Sequence, residues 1–147
     1  MKRHFPGLHL ESKSGNDLLE GLFLARVERA SYRWHREKPF FSLQFSILEP
    51  KGFASHTLSG RLYCTPKALW RLNWFLRDFG YDHDLFLRDE VDEKALLDLT
   101  GVVKTARKTM NGRSFLNFVA FAPSGEWEEL ATSAVRNGDP QENGDDL

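Results

Sequence analysis

Apolar and polar residues alternate along two neighbouring stretches near the start of the chain. Between residues 21 and 32, Phe23, Ala25 and Val27 fall on one side, with Arg26 and Glu28 opposite. Between residues 39 and 48, Phe41, Leu43, Phe45 and Ile47 share one side, with Phe40, Ser42, Gln44 and Ser46 on the other. A period of two marks half-buried antiparallel strands. The segment between them, Tyr32-Arg33-Trp34-His35-Arg36-Glu37-Lys38, reads as a loop. It lacks the Gly, Asn or Asp of an ordinary turn and carries aromatics and guanidinium groups instead, so it is the first candidate for function.

Glu49-Pro50-Lys51-Gly52 has the composition of a turn. A third strand is expected over 53–64, with Leu58 and Leu62 inward and Thr57, Ser59, Arg61 and Tyr63 outward. Gly60 inside it predicts a bulge or a sharp bend. The period changes at Thr65-Pro66, an N-cap and first-turn pair that opens a helix over 66–79. Leu69, Leu72, Phe75, Leu76 and Phe79 recur at helical spacing, Trp70 and Trp74 are expected in the core, and Gly80 ends the helix. Asp92 is placed to cap a short helix. Residues 102–121 then form a hairpin around Asn111-Gly112, whose left-handed turn suits those two residues. Strand, strand, strand, helix, strand, strand is the order of a mainly β, five-stranded OB-fold barrel with one helix between strands 3 and 4. A five-stranded sandwich is the alternative.

The 147 residues include 41% apolar ones, enough for one domain with a real core. The expected organisation is an irregular N-terminal arm at 1–20, the barrel at 21–121 and an acidic, disordered tail at 122–147. The net charge of −1 conceals a division. Up to Phe121 there are 19 basic and 14 acidic residues; beyond it there are one and seven. A basic body with an acidic tail suits a nucleic-acid binder that can also offer its tail to a protein partner. No apolar run follows Met1-Lys2-Arg3, and no stretch is long enough to span a membrane, so a cytoplasmic protein is expected.

Catalytic signatures do not emerge. The five His form no metal-ligand pair at close spacing. Cys64 stands alone, which excludes an internal disulfide and reads as a small apolar filler. The run Asp89-Glu90-Val91-Asp92-Glu93 reads as a solvated helix start. No enzyme activity, metal or cofactor is therefore expected.

Binding is better supported. OB-folds hold oligonucleotides across strands 2 and 3, between the first-to-second and fourth-to-fifth loops. Here those places carry Tyr32, Arg33, Trp34, Arg36 and Lys38 in one loop, Phe40, Arg61 and Tyr63 on the sheet, and Lys108 and Arg113 in the other loop. Aromatics that stack bases and cations that meet phosphates are what a single-stranded nucleic acid requires.

The segments GLFLARVERASY, FFSLQFSILEP, Ser59-Gly60-Arg61-Leu62-Tyr63, Leu72 to Phe79-Gly80, Leu99-Thr100-Gly101-Val102-Val103 and NGRSFLNFVAF together resemble phage- and prophage-borne single-stranded-DNA-binding-like proteins, long catalogued as a domain of unknown function. The resemblance implies an OB-fold, single-stranded DNA as partner, with RNA as the alternative, and a role in replication or recombination. The end Asp145-Asp146-Leu147 is similar to the acidic tails of single-stranded-DNA-binding proteins, with Leu147 in place of their usual aromatic. The competing class is an OB-like protein-interaction module of phage origin.

Overall fold

In the computed structural model the described residues are 2–4 and 19–138, the last five as backbone alone. Most of the expected N-terminal arm, and the tail from 139 to 147, lie outside them. Five antiparallel strands form one sheet in the order β3-β2-β1-β4-β5. They are β1 (Gly21–His35), β2 (Lys38–Glu49), β3 (Thr57–Tyr63), β4 (Thr100–Met110) and β5 (Arg113–Pro123). Among the described residues the helices are α1 (Leu69–Asp78), α2 (His83–Leu87), α3 (Glu93–Leu96) and α4 (Trp127–Gly138).

The inward positions expected from alternation are the core. Phe23, Ala25, Val27, Phe41, Leu43, Phe45, Ile47, Leu58 and Leu62 are all buried. They meet Leu72, Phe75 and Leu76 of α1, with Phe79 just beyond it, and Leu116, Phe118 and Phe121 of β5. Phe45 is the hub, with ring centroids 6.1 Å from Phe75, 5.6 Å from Phe79 and 5.2 Å from Phe118.

Several expectations need correction. Three helices connect β3 to β4, where one long helix and a short one were expected; the short one is α3, capped by Asp92 as anticipated, α2 is the addition, and α1 begins at Leu69. Residues 65–68 form a turn closed by Ala68 N–H donating to the Thr65 carbonyl, and Ala68 occupies the cap without a side-chain bond. The far end behaves as expected: Gly80 takes φ +76° and the Tyr81 N–H reaches the Leu76 carbonyl, which satisfies the last turn. The third strand starts later than 53, because Lys51–Phe53 is a 3-10 turn. From Ser124 the chain does not lose structure at once: a 3-10 turn leads into α4, which contacts β1. Acids at Glu128 and Glu129 favour its N-terminal dipole.

Gly60 is not a bulge. It pairs in register with Leu43. Its role is close approach: a Cβ there would sit 2.6 Å from the Phe118 ring. The outermost strands β3 and β5 thus touch through the inner face.

The α2–α3 connection is fastened to β1 and to its own start. Val27 N–H donates to the Leu99 carbonyl at 2.8 Å and Asp98 N–H to the Val27 carbonyl at 2.9 Å. Tyr81, buried, donates its hydroxyl to the Glu90 carbonyl and accepts from the Asp92 N–H, both at 2.9 Å. Burial, helped by the nearby carboxylates of Asp92, Asp82 and Glu90, pushes its phenol above the ordinary value of 10.0. Tyr81→Phe is expected to cost about 1–3 kcal/mol in a urea titration, because a buried hydroxyl and its two part-buried hydrogen bonds to the backbone are lost. Because the folded state prefers the neutral phenol, this stabilisation is complete below the unfolded value and declines as pH rises beyond it. The parent should therefore lose part of its advantage over Tyr81→Phe above about pH 10.

Candidate nucleic-acid interface

The segment expected to be a loop is a two-stranded ribbon. β1 and β2 stay paired from Tyr32 with Phe41 out to His35 with Lys38. Only Arg36 and Glu37 make the turn, at φ +49° and +66°. Both lie in the left-handed region, which costs non-glycine residues about 1–3 kcal/mol each. Strain of this kind is usually kept where the side chains have a use. Glu37→Gly is expected to raise stability by about 0.5–1 kcal/mol in thermal or urea unfolding, since glycine adopts this geometry freely.

Pairing also decides which side chains share a face. Val27 opposes Phe45, but Arg29 opposes Gln44, so Glu28 is an extra residue. This bulge shifts the alternation. Past it Ala30, Tyr32 and Trp34 continue the core side, opposite Leu43, Phe41 and Pro39. Arg29, Ser31 and Arg33 take the outer side, opposite Gln44, Ser42 and Phe40, which in turn oppose Ser59, Arg61 and Tyr63 of β3.

The ten expected site residues therefore divide. Arg33, Lys38, Phe40, Arg61 and Tyr63 are brought together on the outer face. Tyr32 and Trp34 stand on the opposite face of the ribbon, edge to face at 6.1 Å, with Tyr32 against Phe41 at 5.2 Å. Trp34 is 62% exposed. The Tyr32 N–H is held by the Glu93 carboxylate of α3, which fixes the ribbon's free edge. Arg36 is at the turn. Lys108 and Arg113 lie at the tip of the other hairpin, whose Asn111-Gly112 turn has the expected left-handed geometry.

Phe40 is not a stacking platform. It is 3% exposed. The Arg61 guanidinium lies 4.3 Å over its ring, Tyr63 packs beside it at 5.4 Å, and Arg61 Nη1 donates to the Tyr63 hydroxyl at 3.1 Å. Phe40 supports Arg61 and Tyr63 from beneath. Arg33 is steadied in the same way, donating from Nε to Ser31 Oγ at 3.0 Å.

Three side chains that the sequence reading did not single out join the same outer side. On the β4–β5 hairpin, Lys108 opposes Phe115 and Met110 opposes Arg113. Phe115 is 39% exposed and Met110 52%. Counting back from the two-residue turn would have placed Phe115 beside Lys108. Arg29 is the third, hidden by the bulge.

Burial pushes the Cys64 thiol up, so it keeps its proton at neutral pH. Among the described residues no three metal-ligating side chains converge, and no helix is long and apolar enough to cross a membrane. No protein-family model matches the chain, and no curated protein matches it.

Proposed function

We propose that this chain is an OB-fold protein that binds single-stranded nucleic acid, with DNA as the expected strand and phage or prophage replication or recombination as the setting. The sheet order supports the fold. An OB barrel follows from β3-β2-β1-β4-β5 when β3 and β5 come together, and the contact of Gly60 with Phe118 is such an approach.

One observation carries the function. Aromatics and cations share the outer side of the strands: Arg33, Arg61, Tyr63 and Lys38 around β2, and Lys108, Phe115 and Arg113 on the second hairpin. Glu28, at the base of the ribbon, accepts from Gln44 Nε2 at 3.4 Å. β1 pairs with β4 only through residues 21–26, so the two hairpins leave the shared ladder at opposite ends. They would bracket the β2–β3 face. Phosphates would follow Arg33, Arg61 and Arg113. Bases would stack on Tyr63 and Phe115, and on Trp34 where the strand crosses the ribbon tip.

Fluorescence anisotropy with labelled oligothymidylate and with duplex DNA, at two salt concentrations, tests this. The single strand should bind more tightly than the duplex and lose affinity with salt. Phe115→Ala and Trp34→Ala should each weaken binding by about 1–3 kcal/mol with the salt slope nearly unchanged, since stacking releases no counterions. No binding, or equal binding to duplex, would reject the reading and favour a protein-interaction module. Loss at Phe115 without loss at Trp34 would confine the strand to the outer face.

A further inference from the structure

A second surface lies on α1, away from the sheet face. Trp70 was expected in the core but is 56% exposed, and Leu69 beside it is 46% exposed. Leu72, Phe75 and Leu76 of the same helix are buried, so α1 is amphipathic and its other side should be polar. It is only partly so, since large apolar side chains stand among the polar ones. Leu69, Trp70, Asn73, Trp74 and Arg77 line a shallow groove of about 490 Å³. Trp70 and Trp74 stack at 6.2 Å and 27°, and Trp74 is anchored edge-on against Phe121 of β5. The aromatic floor is thus fixed to the core.

The charge around this floor is mostly positive, with Asp78 as the one acid on the helix itself. Arg71 lies 4.9 Å over the Trp70 ring, and Arg77 lines the groove. Lys67 precedes the helix. None of the three makes an ion pair among the described residues, and the buried Nε of Arg71 meets no acceptor there. An uncompensated guanidinium beside exposed indoles calls for a carboxylate next to an apolar group.

We propose that the α1 groove docks a short acidic peptide segment of a partner protein, with one large apolar side chain on Trp70 and Trp74 and carboxylates on Arg71 and Arg77. A peptide is favoured over a nucleic acid because the groove is one helix wide. Its few cations cluster about two indoles instead of tracking a backbone, and exposed tryptophan and arginine are the residues that dominate protein interfaces. The inference stands apart from the nucleic-acid reading, which uses the sheet.

The test is selection from a displayed library of short peptides, on the full chain and on Trp70→Ala and Arg77→Glu variants whose folding is checked by circular dichroism. Selected sequences should combine Asp or Glu with an aromatic or Leu. As synthetic peptides they should bind the parent and lose about tenfold or more on either variant, as hot-spot residues do. Trp34→Ala should leave peptide binding unchanged. Selected peptides that are neutral or basic, an empty selection, or peptides that bind both variants like the parent, would overturn the proposal. So would oligothymidylate binding that falls on Trp70→Ala and competes with the peptides, which would assign the groove to nucleic acid.

Discussion

Replacing Phe118 by alanine is expected to lower the stability of the fold by about 3–5 kcal/mol, the usual cost of deleting a buried aromatic side chain. Phe118 is 1% exposed, and its ring meets Phe45 at 5.2 Å and Phe121 at 6.4 Å. It also fills the space over Gly60, so the loss would be felt by both outer strands. Gly60→Ala alone should cost about 1–3 kcal/mol by overpacking, because its Cβ would lie 2.6 Å from the Phe118 ring. In the Phe118→Ala background the same change should be nearly neutral, since the obstructing ring is gone. Urea unfolding of the four proteins gives the coupling directly. If Phe118→Ala does not fold, Phe118→Leu serves the cycle. Additive costs would mean that β3 and β5 do not meet through these residues, and the barrel reading would fail with them.

Removing the guanidinium groups of Arg33, Arg61 and Arg113 together is expected to have the largest effect on nucleic-acid binding. All three are exposed, so the fold should survive. Each phosphate contact to a single strand contributes about 0.7 to the slope of log K against log salt, so the triple alanine variant should be flatter by about two units. Its affinity should fall most at low salt. Arg88→Ala is the control: Arg88 is paired with Glu90 at 3.2 Å on the α2 side and should change nothing. Because Arg61 also covers Phe40, Arg61→Lys separates charge from cover. Lysine keeps the charge, and so most of the slope, while giving up the planar stacking on the ring. A triple variant with the parent's slope would remove these residues from the interface.

The strands were legible because alternation records burial directly. Phe41, Leu43, Phe45, Ile47, Leu58 and Leu62 each lie on the side that their spacing indicated. Asn111-Gly112 was legible because few other pairs take that turn cheaply. Arg36-Glu37 was not, because its left-handed geometry runs against the preferences of both residues. The bulge at Glu28 was hidden by its neighbour: Glu28 and Arg29 are both polar, so no break in the pattern shows. The burial of Phe40 depends on a guanidinium from another strand, which no local pattern contains. The helix from Trp127 had a signal, Trp127, Leu130 and Ala131 at helical spacing, masked by the acids between them. Side chains that the residue types alone grouped into one loop stand on two faces of a paired ribbon, a division that only the register reveals.

The bulge at Glu28 has a mechanical consequence. The paired arm beyond it, residues 29–35, is about 23 Å long at the usual rise of a strand. A bulge bends and twists the strand that carries it. With a lever of that length, a change of about 10° at Glu28 sweeps the tip through about 4 Å, comparable to the spacing between neighbouring strands. Deleting Glu28 would leave every side chain of the arm opposite its present partner and yet re-aim Trp34 and Arg36 together. The reach of the tip can thus be adjusted at its base, independently of the chemistry that it carries.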